Sequence, residues 1–284
     1  MKITVLTENT ISKNIEKSLA EKLKAEHGLS LFIETENYKI LFDMGQTKLF
    51  LENAKNLNIN LKDVDFAVLS HGHYDHGGLP SSENDIFGIS GFLNRNKTAP
   101  IFINENAFSD NYNASKKYIG LDKKLLENPD FIQRAIFVGE EKEIVPKIKL
   151  NACNKNEKIV PINTDGLCQL KNGVFVPEDF SHEHYLLMEE NNKKILISGC
   201  SHKGILNIVN WFKPDILIGG FHLKSLDTEN QSDIKILQNL GETLSSYKTT
   251  FYTCHCTGEC QFEILKSIMK EKVFYIATGD KLVL

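Results

Sequence analysis

The chain has 284 residues, 41% of them apolar and 25% charged, with 33 Lys plus Arg against 37 Asp plus Glu and a formal charge of -4. This is the composition of an ordinary soluble protein, which excludes disordered, collagen-like and membrane classes, and the slight acidity leaves no global attraction for nucleic acid. The opening Met1 to Leu6 run is too short for a signal peptide and no stretch reaches the roughly 20 apolar residues of a membrane span, so a cytoplasmic protein is expected, its six cysteines kept as thiols.

Taken in chain order, Ile3, Val5 and Leu6 mark a first strand, and Ser12 to Glu26 places apolar residues at helical intervals among Lys and Glu, which predicts a short surface helix. Two β-rich runs, 28–34 and 38–43, flank Thr35-Glu36-Asn37 as a hairpin, and 47–57 reads as a helix. Phe66-Ala67-Val68-Leu69-Ser70 is a continuous apolar run of the kind buried on both faces, and a His-rich motif begins at the next residue.

Residues 83–180 carry many Asn and Lys with only brief apolar runs, and read as a variable insert near the site within a single domain spanning 1–284. His182 and His184 alternate about Glu183 ahead of an apolar run, which predicts a strand with both on its solvated face. Three later strand-like runs, 194–198, 215–218 and 249–253, lead into Cys200 and His202, into His222, and into His255. Helical patterns at 203–212, 232–246 and 261–270 separate them, and 273–277 gives a last strand. The alternation describes an α/β layered fold, in which ligands collect beyond strand ends, so these separate segments are expected to converge.

The chemistry is concentrated in His71-Gly72-His73-Tyr74-Asp75-His76-Gly77-Gly78. Three imidazoles and a carboxylate within six residues supply the nitrogen and oxygen donors that Zn, Fe or Mn accept. Gly72 lets the backbone turn so that His71 and His73 can face one ion, while Asp75 and His76 point at a neighbouring position. Two adjacent ions would lower the pKa of water from 15.7 towards about 7 and polarise a carbonyl or phosphoryl oxygen. The cysteines 254, 256 and 260 lack a second pair for a cluster site and read as structural thiols.

The first motif resembles the His-x-His-x-Asp-His signature of the metallo-β-lactamase fold, a four-layer αββα sandwich whose hydrolases carry Zn, Fe or Mn pairs. The segments 26–30, 199–205, 219–223 and 254–258 resemble a subgroup of that superfamily, the dihydropterin ribofuranosylaminobenzene phosphate synthases. In the commoner pattern a third His lies between the first motif and an acidic bridging ligand at a Gly-Asp. This chain has only His182 and His184 in that interval and Gly199-Cys200 at the strand end.

The resemblance therefore implies His202 as the partner of His71 and His73 on one metal, and His255 as the partner of Asp75 and His76 on a second, with Cys200 as ligand or neighbour. His222 is left as ligand, proton donor or core histidine, its ordinary pKa suiting acid work near neutrality. His27 lines the pocket by resemblance, and Lys203 and Lys224, beside strand-end histidines, are candidate contacts for a substrate phosphate. The expected activity is that of a metal-dependent hydrolase, or a pterin-synthase-like transferase, using one or two ions, Zn first and Fe or Mn as alternatives, on a small phosphorylated or ester substrate. A di-iron redox protein and a non-catalytic metal-binding or sensor protein of the same fold are the rival classes. No nucleic-acid or membrane partner is expected, and homo-oligomer formation is left open.

Overall fold

A computed structural model describes residues 1–80 and 86–284. The first residues of the stretch read as an insert, 83–85, lie outside the described residues. In chain order the strands begin β1 (Lys2–Thr7), β2 (Ser30–Glu34), β3 (Lys39–Phe42), β4 (Phe66–Val68), β5 (Ile101–Asn104), β6 (Asn111–Tyr112) and β7 (Ala135–Val138). There follow β8 (Glu141–Val145), β9 (Ile148–Asn151), β10 (Cys168–Lys171), β11 (Val174–Pro177), β12 (Tyr185–Glu190) and β13 (Lys193–Ile197). The last are β14 (Ile216–Gly219), β15 (Thr250–Thr253), β16 (Val273–Tyr275) and β17 (Lys281–Val283).

Two seven-stranded sheets are built from these, in the orders β17-β1-β2-β3-β4-β5-β7 and β16-β15-β14-β13-β12-β9-β8. The principal helices are α1 (Lys17–Ala20), α2 (Leu49–Asn56), α3 (Tyr74–Gly77), α4 (Gly88–Arg95), α5 (Pro129–Arg134), α6 (Ile205–Phe212), α7 (Gln231–Ser245) and α8 (Glu259–Met269).

Strand periodicity explains the layering. Side chains alternate faces along a strand, so Leu31 and Ile33 enter the core between the sheets while Phe32 packs outward against Phe50 and Ala54 of α2 and Phe92 of α4. In the second sheet Ile195, Ile197, Ile216 and Ile218 face the same inter-sheet core, whereas Leu196 and Leu217 pack outward with Ile208 of α6 and Leu265 of α8. Three apolar cores thus separate four layers, helices, sheet, sheet, helices, as the resemblance implies.

Several local expectations change. Only Lys17–Ala20 is helical within 12–26, and β17, unmarked in the sequence, pairs with β1 on its free edge. The stretch from 83 to 180 is largely woven into the body: β5 and β7 complete the first sheet, β8 and β9 the second, and only β6, β10 and β11 form a separate three-stranded sheet. His182 and His184 precede β12 rather than lying in a strand, and both are fully buried. Both nitrogens of His182 and Nε2 of His184 have partners inside the molecule, which removes the reason to place these rings on a solvated face.

Candidate metal centre

The parallel strands β4, β13, β14 and β15 all end at one edge, and the loops leaving them carry His71 to His76, Cys200 and His202, His222 and His255. Asp43 after β3, Ser201, His222 and His255 adopt left-handed φ values of 58°, 59°, 53° and 55°. Such non-glycine residues cost of order 1–3 kcal/mol each, so this edge stores strain where its polar side chains converge. Gly72 is required by proximity: a Cβ there would lie 2.1 Å from the carbonyl oxygen of Ala107.

The rings of His71, His73 and His202 form a triangle with centroids 4.7–4.9 Å apart. Ser70 Oγ donates to Asp43 Oδ2 at 2.7 Å, so its oxygen accepts the Nδ1–H of His71 at 2.8 Å. That fixes the tautomer and leaves His71 Nε2 as a lone pair, 3.3 Å from His202 Nε2. His73 places Nε2 3.0 Å from Glu178 Oε1, and it offers a ring nitrogen within 4.8 Å of donor atoms of His71 and Asp75. Burial first, then the neighbouring imidazoles, hold His71 and His202 well below the usual histidine pKa, the neutral state a ligand needs. Burial opposes charge on His73 too, but Glu178 outweighs it and raises the pKa.

A second group consists of Asp75, His76, Cys200 and His255, whose donor atoms all lie within 4.8 Å of one another. His76 Nδ1 donates to Asp43 Oδ2 at 2.6 Å and presents Nε2 to Cys200 Sγ at 3.1 Å. Asn9 donates through Nδ2 to the His255 carbonyl at 3.3 Å, which turns its Oδ1 to accept from His255 Nδ1 at 2.9 Å. His255 Nε2 is then a lone pair 3.2 Å from Asp75 Oδ2. Burial works against charge on Asp75, but His76, His255 and His27 outweigh it and hold its pKa well below the usual carboxylate range. A lone pair facing a carboxylate at that distance is repulsive, so the contact needs either a proton on His255, the state in which it lowers the Asp75 pKa, or a metal ion held by both, and the donor set fits a metal.

Cys200 belongs to both groups, since its Sγ also lies within 4.8 Å of the donor atoms of His71 and His202. Burial, then the Cys256 thiol, push its pKa well up, so it would become a ligand only by losing a proton as metal binds.

Both late histidines are pinned by buried carboxylates from other segments. Glu183 accepts the backbone N–H groups of His202 at 2.7 Å and Lys203 at 3.1 Å, and Glu8 accepts that of His255 at 2.6 Å. His182 accepts the Gly72 N–H at Nδ1, 3.0 Å, and therefore donates from Nε2 to Glu178 Oε1 at 2.5 Å. His73, Glu178 and His182 thus form a hydrogen-bonded brace rather than a third donor set, because His182 has no free lone pair. His184 Nε2 donates to the Gly139 carbonyl at 3.0 Å, beside the side chain of Asn104.

The remaining sequence candidates sit differently. His222 belongs to neither donor group; its ring is 4.3 Å from that of His202 and its Nε2 is 3.4 Å from Asp165 Oδ2. His27 stands at the mouth, 44% exposed, with Nε2 3.3 Å from Asp75 Oδ2. Lys203 is corrected: it is buried, and its Nζ donates to the carbonyls of Ala152 at 2.6 Å and Glu183 at 3.2 Å, which makes it a structural cation. Lys224 is exposed on the loop after β14. Cys254 is buried between the sheets, Cys256 accepts the His222 N–H at 3.3 Å, and Cys260 is exposed. Sequence reasoning missed Asn9, Asp43, Ser70 and Glu178. Asp43 and Ser70, polar residues closing apolar strands, carried a signal; Asn9 and Glu178 carried none.

The metallo-beta-lactamase superfamily model matches residues 23–81, which include the whole first motif. The chain is 34% identical over 254 residues to the 7,8-dihydropterin-6-methyl-4-(beta-D-ribofuranosyl)-aminobenzene-5'-phosphate synthase of Methanocaldococcus jannaschii, covering 82% of each protein. The chain belongs to the metallo-beta-lactamase superfamily. A second, uncharacterised protein of M. jannaschii is 31% identical over 264 residues and 90% of each chain. Among solved structures, Tm1679, described as a metal-dependent hydrolase of the beta-lactamase superfamily, superposes with a TM-score of 0.72 at 26% identity, covering 100% of this chain and 99% of that one. Within the superfamily this chain therefore resembles the M. jannaschii synthase over most of its length. Among the described residues no helix is long and apolar enough to cross a membrane.

Proposed function

We propose that the protein is a metal-dependent hydrolase that activates water against a small phosphorylated or ester substrate, with zinc the expected metal and iron or manganese the alternatives. The observation that carries this reading is the pair of adjacent donor groups, linked by Cys200 and Asp75, each of which lies within 4.8 Å of donor atoms in both. His71, His73 and His202 would hold one ion, Asp75, His76 and His255 the other. Bound there, a metal pair would supply Lewis acidity and lower the pKa of water towards about 7.

The protein's own groups do the rest. Asp75, kept ionised, orients the attacking water by accepting its hydrogen bond. His222, fixed by Asp165 beside His202, stands where it can pass a proton to the leaving group. A pterin-synthase-like transfer on a phosphorylated substrate is the second reading, favoured by the identity to the M. jannaschii synthase.

The test is to load the metal-free chain with zinc, manganese or iron and screen phosphodiesters, lactones and pyrophosphates. Turnover that requires metal and disappears in a His71→Ala, His73→Ala double variant is expected. Full activity in that variant, or metal-dependent oxygen consumption without hydrolysis, would overturn the reading.

A further inference from the structure

Beside the donor groups lies a cavity of about 260 Å³ whose wall includes His202 and His222. It is near the lower end of small-molecule pockets, which begin at about 300 Å³. Its floor is Phe221 and Ile205, and its sides are Leu206 of α6 and Ile236 and Leu240 of α7. Val160 and Pro161 form part of a strap that crosses it.

That strap is fastened at both ends. The buried side chain of Asn207 accepts the N–H groups of Ile159 and Val160 at 2.8 and 3.0 Å and donates to the Val160 carbonyl at 3.0 Å. At the far end Asp165 Oδ2 accepts from Ser225 Oγ at 3.0 Å and lies 3.4 Å from His222 Nε2. The cavity is therefore a built feature with a defined wall.

Among the described residues, the ionisable groups lining it are Asp165, His202 and His222, with no Lys or Arg. An anion would meet a carboxylate and no fixed cation, so a phosphate is unfavourable here. Aliphatic walls that remain partly open to water, with Ile236 51% exposed, are instead stabilised by covering them with an apolar ligand group.

We propose that this cavity is the specificity pocket of the site and takes an uncharged, apolar group of the substrate, the size of one or two aromatic rings, attached to the bond that is cut at the donor groups. The inference rests on the hydrolase reading for the word substrate, but the binding itself does not.

Two measurements on the full chain separate them. The first is calorimetric titration with 2-naphthol, neutral at pH 7, and with the 2-naphthoate anion. Saturable binding of the naphthol is expected, at least about tenfold tighter than the anion and weakened at least about tenfold in both Leu240→Trp and Ile236→Trp, in line with the cost of filling an apolar pocket. Absent binding, equal binding of the anion, or no effect of either substitution overturns the proposal. The second compares kcat/KM for bis(4-nitrophenyl) phosphate with that for methyl 4-nitrophenyl phosphate on the metal-loaded chain. A preference of about tenfold or more for the second aryl group is expected, collapsing in the two Trp variants; equal rates overturn it. Naphthol binding with no turnover of either ester, nor of any lactone or pyrophosphate in the wider screen, would sink the hydrolase reading while supporting the apolar pocket.

Discussion

The two donor groups differ in how they are held. The His71, His73 and His202 group is all imidazole, buried, and braced by Glu178 and Ser70, with the His202 ring stacked on Phe180 at 4.5 Å. Nδ1 of His202 has no hydrogen-bond partner among the described residues, so this group depends on packing as well as polar bracing. The Asp75, His76, Cys200 and His255 group carries a carboxylate and a thiol, and His27 opens it to solvent. Outer partners fix ligand orientation and basicity, and the two groups draw theirs from different parts of the chain: Glu178 from the stretch before β12, Asn9 from the segment after β1. The contrast implies that each group can be weakened separately through Glu178 or Asn9, but not through Cys200 or Asp75, which lie within donor reach of both, nor through Asp43, which accepts from both Ser70 and His76.

The largest expected effect follows from that exception. Cys200→Ala removes a donor common to both groups, the thiol, and cobalt substitution should report it: the thiolate-to-cobalt absorption in the near ultraviolet should vanish and both ions should loosen. An unchanged cobalt spectrum would show that the thiol is a bystander. Next come His202→Ala and His255→Ala, each expected to lower the metal content from two ions to one by elemental analysis. Loss of both ions in either variant would mean that the groups do not bind independently.

Smaller again is Glu178→Gln, which keeps an acceptor but removes the charge that both His73 and His182 donate to. Outer-partner changes of this kind weaken metal binding by about 10–100-fold, and chelator competition should place that loss on one ion of the pair. The same residue has a pH signature. Burial opposes its ionisation, but His73 and His182 outweigh it and hold its pKa at about 2, against an ordinary 4.5. A depressed carboxylate contributes stability above its unfolded pKa and loses it as pH falls through the folded one. Metal-free wild type should therefore lose roughly 3 kcal/mol of this contribution between pH 4.5 and about 2. Denaturant melts at these pH values should show a flatter acid limb in the Glu178→Gln variant.

What was legible in the sequence follows the same division. The donors announced themselves because ligand residues sit at the ends of apolar strands: Phe66 to Ser70 runs into His71, and Ile195 to Ser198 into Cys200 and His202. The alternation in 31–33, 40–42, 195–197 and 216–218 sorts side chains between the inter-sheet core and the outer cores, so the layers could be read too. The braces could not, because a hydrogen bond between Glu178 and His73 spans 105 residues and leaves no local spacing. His182 and His184 were misread for a related reason. Alternation about Glu183 resembles a strand, and only the tertiary partners Gly72, Asn104 and Gly139 show that these imidazoles are enclosed. Lys203 looked like a phosphate contact beside a strand-end histidine, whereas the nearby carbonyls of Ala152 and Glu183 claim it.

The smallest expected effect is the sharpest probe of the contrast. Asn9→Ala removes the acceptor that orients His255 through Nδ1, but this acceptor is neutral and partly exposed, and water can replace it. The loss should fall at the low end of the outer-partner range, about tenfold or less, and on the ion held by Asp75, His76 and His255 alone. Stepwise removal with a graded chelator should then release that ion earlier than in wild type while the other leaves at its usual concentration. If both ions leave early, the shared residues Cys200, Asp75 and Asp43 transmit the disturbance between the groups, and the two must be described as one centre rather than as two that share a thiol.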